Sequence, residues 1–175
     1  MDAPDYFQFF GLEARLSIDL PDLENRFYRL SRQLHPDRHA QAAPSERERS
    51  LEASAILNDA YRTLRDPVAR AEYLLKQQGF EQSKQAPAEL LDEVFDLNLA
   101  LEELRGGDVS VRSRLEAARE RFLALLQETD AGLEGLFGAY DRSPAPAALG
   151  EIRAALNRRK YISNLVQQVE SELNP

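Results

Sequence analysis

Leu90, Val94, Leu97, Leu101 and Leu104 recur at intervals of four, three, four and three residues, and the same rhythm returns along most of this chain. At 3.6 residues per turn such positions stack on one side of a helix, so the pattern commits the chain to amphipathic helices packed through their apolar faces. Eight glycines among 175 residues are too few for a turn-rich β protein. No apolar run approaches the ~20 residues that would cross a bilayer. The opening MDAPDYFQFF has neither the basic segment nor the apolar core of a signal peptide. The expected fold class is all-α, and the expected location is cytoplasmic.

Composition then removes most chemistries. The chain has no cysteine, which excludes disulfides, thiolate nucleophiles, zinc–thiolate sites and cysteine ligation of iron–sulfur clusters. A net charge of −8 argues against a general electrostatic grip on nucleic acid or an anionic membrane. Imidazole chemistry is limited to His35 and His39. Those two are spaced like metal ligands on a helix, but Pro36 interrupts helical geometry between them and Asp37 is the one nearby carboxylate. With no serine elbow and no Gly-rich phosphate loop, no enzyme active site, metal or cofactor is expected. A histidine-dependent metalloenzyme is a remote third reading.

The chain divides near residues 77–87, where QQGFEQSKQAP pairs a helix stop at Gly79 with a helix start at Pro87. Residues 1–76 carry 11 basic and 13 acidic side chains, whereas residues 77–175 carry 11 and 17. In the first part, a short helix over Asp5–Phe10 is closed by Gly11. A second starts at Asp19 or Pro21 and carries the stripe Leu23, Phe27, Leu30 and Leu34. A third is expected from about Glu46 to Leu64, with Ala53, Ile56, Leu57 and Ala60 on its apolar face, and a fourth over Val68–Gln78. The second part, 88–175, reads as a bundle of three helices. They cover about Ala88–Leu104, a second capped by Asp108 or Ser110, and Ser143-Pro144 to about Leu173. Gly132, Gly135 and Gly138 are expected to weaken the far end of the middle one.

The order of features in the first part is specific. A helix containing arginines runs into LHPDRH at 34–39, a polar loop follows, and ILNDAYRTLRDP ends the next helix. This arrangement resembles the J domain, with His35, Pro36 and Asp37 as its HPD motif. DYFQFFGL at the start, RAEYLLKQQGF after the J region and the C-terminal bundle together resemble the HscB family, J-protein co-chaperones of iron–sulfur cluster assembly. A general DnaJ-type chain would instead carry a Gly/Phe-rich linker and cysteine-rich repeats.

The residues themselves offer a second argument beside the resemblance. Arg26, Arg29 and Arg32 recur every third residue off the apolar stripe, with Arg38 beyond them, and make a local basic face on an acidic chain. Such a face is usually just solvated. The resemblance implies that it meets an acidic surface of a DnaK-type ATPase, HscA, which His35, Pro36 and Asp37 would stimulate.

On the bundle's first helix, Leu91, Phe95 and Leu99 form a separate row, well around the helix from the regular seam at ~100° per residue. Asp92, Asp96 and Glu103 lie beyond it. A second apolar row either widens the buried face or serves a partner. Tyr161 points away from the stripe Ile152, Leu156, Ile162, Val166 and Val169, which predicts an exposed aromatic beside an apolar row with an acidic edge. The resemblance implies that Leu91, Asp92, Phe95, Asp96, Leu99, Glu103 and Tyr161 hold the scaffold protein IscU. Two positions depart from the family pattern: Leu99 stands where an acidic residue is common, and Asp92 where an apolar one can occur. The competing reading is a J-domain adaptor for a different client.

Overall fold

A computed structural model describes residues 4–35, 43–82 and 86–174, and the chain forms two compact units, Met1–Gly79 and Phe80–Pro175. The regular structure among the described residues is helical, with no strands. The first unit contains α1 (Tyr6–Phe10), α2 (Leu20–Leu34), α3 (Pro44–Arg65) and α4 (Pro67–Gln77).

Local chemistry sets the helix starts. Asp5 accepts the Phe7 and Gln8 amides at the start of α1, Asp19 accepts the Asp22 amide at the start of α2, and Asp66 accepts the Ala69 amide at the start of α4. Phe7, Phe10, Leu16, Leu23, Leu57, Ala60, Leu64, Leu74 and Leu75 build the core. Leu34 meets Ser50 while Phe27 stacks on Tyr61 at 4.2 Å between ring centroids, so α2 and α3 run antiparallel. Of the expected α2 stripe, Leu23 is fully buried; Phe27, Leu30 and Leu34 are half-buried.

The helix ends in this unit share a device. Arg26 on α2 donates from Nη1 to the Phe10 and Gly11 carbonyls at 3.0 and 2.9 Å, holding the end of α1. Ser50 and Ser54 on α3 both donate to the Leu34 carbonyl at the end of α2, at 2.7 and 2.9 Å. Arg70 on α4, itself buried, donates to the Leu64 carbonyl near the end of α3 at 2.5 Å and to Leu16 at 2.9 Å. Carbonyls at a helix end have no amide partner within the helix. Here side chains from a later helix supply one.

The second unit contains α5 (Leu91–Arg105), α6 (Arg112–Arg142) and α7 (Pro146–Leu173), with 3-10 turns at Ala88–Leu90 and Val109–Val111. Ion pairs give the directions. Glu103 pairs with Arg114 and Glu93 with Arg121, so α5 and α6 are antiparallel; Arg119 with Glu170 and Asp130 with Arg159 make α6 and α7 antiparallel too. Leu90, Leu97, Leu101, Leu115, Phe122, Ile162, Val166 and Val169 form the shared core. Where α6 and α7 run on, Leu133, Phe137, Leu149, Ile152 and Leu156 stay buried. The three glycines expected to weaken α6 do not end it: the helix continues through all of them to Arg142. Packing against α7 outweighs a propensity cost of ~1 kcal/mol per glycine. Pro87 precedes a 3-10 turn rather than opening α5 directly, and Asp108 caps the turn before α6.

Candidate functional site

In the first unit, α2 delivers His35. The residue ends the helix in extended backbone and is exposed. Pro36, Asp37 and Arg38, the rest of the expected motif and its neighbour, lie outside the described residues, as does His39. Arg29 and Arg32 are exposed on α2, where with Asn25, Tyr28 and Gln33 they line a shallow depression of about 450 Å³. Tyr28, 55% exposed, was not singled out by the spacing argument. The signal was available: it stands one position off the Leu23–Phe27–Leu30–Leu34 stripe.

Arg26 has a different occupation from Arg29. It is half-buried, pairs with Asp22 at 2.8 Å and holds the α1 carbonyls described above. Its spacing with Arg29 and Arg32 is real, yet its guanidinium faces the protein's own backbone.

In the second unit, α5 separates two apolar sets. Leu90, Leu97 and Leu101 are buried, and Val94 and Leu104 pack partly buried against the same core. On the other side Leu91, Phe95 and Leu99 are 53%, 69% and 44% exposed. Spaced by four, they form a continuous row on one helix face. Asp92 and Asp96 are exposed beside it. Asp96 also opens onto a groove of about 410 Å³ between α5 and α6, whose rim includes Glu93, Arg114 and Arg121. Glu103 is half-buried and paired to Arg114 at 2.8 Å, so its carboxylate already has a partner within the bundle.

Tyr161 corrects the spacing argument. It is half-buried and packed against the α5–α6–α7 core rather than standing out from it. A helical wheel drawn from one stripe misses that α7 lies against two neighbours, so its buried arc is wider than the stripe.

Among the described residues, no cluster of three or more histidine, aspartate or glutamate side chains is arranged to hold a metal, and no helix is long and apolar enough to cross a membrane.

Comparison with known proteins bears on both units. The DnaJ domain family matches residues 5–73. A co-chaperone protein HscB homolog from Bordetella petrii is 38% identical over 142 residues, covering 73% of this chain and 82% of the relative. The chain belongs to the HscB family. It is therefore a J-protein co-chaperone, all-α, with an N-terminal J domain. Chaperone HscB from Vibrio cholerae superposes with a TM-score of 0.68 at 29% identity, covering 96% of each chain. The human co-chaperone HscB shares the fold, with a TM-score of 0.72 at 24% identity over 100% of this chain and 85% of that one. In HscB terms, α2 is the helix before the HPD motif and the C-terminal unit is the helical part beyond the J domain.

Proposed function

We propose that this HscB-family chain delivers the scaffold protein IscU, bearing its iron–sulfur cluster, to the DnaK-type chaperone HscA and stimulates ATP hydrolysis there. On this reading residues 1–76 act as the J domain, 77–87 as a linker and 88–175 as the scaffold-binding domain, in the cytoplasm. The observation that carries it is the exposed Leu91–Phe95–Leu99 row. The core does not need that much apolar surface on α5, and a patch left open on a helix face is the kind that binds a partner. Asp92 and Asp96 give it a charged edge, and the half-buried Tyr161 would contribute through its exposed part.

His35, Pro36 and Asp37 would contact HscA, with Arg29, Arg32 and Arg38 steering the encounter and Arg26 chiefly bracing the helix that presents them. The chain itself does no bond chemistry. It shifts the partner between conformational states, and the size of that shift is its difference in affinity for them.

Steady-state ATPase of HscA, with and without IscU, tests the reading. Wild-type protein should stimulate hydrolysis, and more so with IscU present. His35→Gln should abolish stimulation while leaving the melting curve and IscU binding in place, since exposed positions usually change stability by under ~0.5 kcal/mol. Stimulation without any affinity for IscU would make the chain an adaptor for another client. A fully active His35→Gln variant would remove the J-domain function.

A further inference from the structure

We infer that Ser50 and Ser54 are positioning residues for His35, acting through one backbone carbonyl. Both lie on α3, four residues apart and so on the same face. Each hydroxyl has one proton to donate, and both donate to the Leu34 oxygen, at 2.7 and 2.9 Å. Ser50 is buried and Ser54 half-buried.

Leu34 is the last residue of α2, and His35 follows it directly in extended backbone, with φ −60° and ψ 128°. A helix end is commonly completed by an amide returned from just beyond it, often from a glycine in left-handed backbone. Helix α1 ends this way: Gly11, at φ 65°, returns its amide to Gln8 and Phe7. The next amide of that turn, on Leu12, also returns to Phe7; the matching residue two past the end of α2 is Pro36, which has no amide hydrogen. The two α3 hydroxyls hold the same helix end at a different carbonyl, that of Leu34. Pro36 can return no amide to α2, and the point from which His35 departs is held from another helix.

This inference rests on the co-chaperone reading, which gives His35 its task. Removing both hydroxyls should leave α2 and its exposed arginines in place while loosening the exit of the chain at Leu34. Position 54 allows a matched comparison, because threonine and valine share a shape and differ in the hydroxyl. In the full chain, S50A/S54V should lower the maximal stimulation of HscA ATPase by about five- to thirty-fold, the factor that one or two net hydrogen bonds carry. The concentration giving half-maximal stimulation should change little. S50A/S54T should restore the maximum, and the His35 imidazole resonances should shift in the valine variant but not in the threonine one.

Equal stimulation by the two variants overturns the inference. So does a loss that tracks melting temperature rather than the hydroxyl. If wild-type protein fails to stimulate at all, the proposed action on HscA falls by that measurement alone. The imidazole resonances still decide the positioning: unshifted in both variants, they overturn it.

Discussion

Arg26 shows how far a single side chain can depart from what its spacing suggests. In sequence it belongs with Arg29 and Arg32 as a third basic residue on one helix. In the fold its guanidinium joins Asp22 to the carbonyls of Phe10 and Gly11. Hydrogen bonds from a charged donor are worth about 1.5–3 kcal/mol net. Arg26→Ala should therefore lower unfolding stability by ~1.5–3 kcal/mol, whereas Arg29→Ala should stay within ~0.5 kcal/mol. Urea midpoints at constant slope would separate them. A stable Arg26→Ala protein would return that residue to the exposed face. His35 was legible because a proline-interrupted helix end is a local event. Ser50 and Ser54 were not, because nothing local says which carbonyl, sixteen and twenty residues earlier, their hydroxyls will find. Tyr28 was legible in principle, one position off the stripe.

At the scale of a helix, apolar periodicity was a good guide where one partner dominates and a poor one elsewhere. The seam on α5 held in its buried members, and the second row emerged as exposed surface. On α7, Tyr161 failed the same argument because that helix packs against two others. Leu91→Ala/Phe95→Ala should leave the melting temperature almost unchanged and weaken IscU binding by about 2–4 kcal/mol if both residues anchor the contact. Calorimetric titration beside a melting curve reads both quantities. A collapse in melting temperature would show that the row is structural. Helix α6 gives a second test. A side chain built at Gly132 or Gly135 would meet nothing within 4 Å, and neither glycine has positive φ. Replacing each with alanine should raise stability by roughly 0.5–1 kcal/mol. Chemical denaturation would detect it. No gain would mean that these positions carry a constraint other than helix propensity.

For the molecule as a whole, the two units draw on different electrostatics. The first adds to its aspartate caps cations on backbone carbonyls, bonds that acid does not titrate. The second relies on carboxylates bridging helices. Hydrogen bonding to Arg105 holds Glu172 below its ordinary pKa, and hydrogen bonds from Ser110 do the same for Asp108. Such groups bind protons less readily folded than unfolded. Their stabilisation is present above the ordinary carboxylate pKa, ~4, and is lost as pH falls through their lowered folded values. The melting temperature should hold from neutrality to about pH 5 and then decline. Because these groups are exposed, their share of that decline is modest. Glu172→Gln should make the decline shallower in a calorimetric pH series. An unchanged slope would show that this pair contributes nothing.

The first unit also has a direction in time. Every borrowed helix end points forward along the chain: Phe10 and Gly11 wait for Arg26, Leu34 for Ser50 and Ser54, Leu64 for Arg70. A ribosome releases its product from the N-terminus at about 5–20 residues per second. Each helix is therefore made before the side chain that finishes it, and the set closes only when Arg70 has left the exit tunnel. A nascent chain stopped short of that arginine displays incomplete helix ends. This co-chaperone is, for the early seconds of its own synthesis, the kind of open polypeptide on which chaperones act.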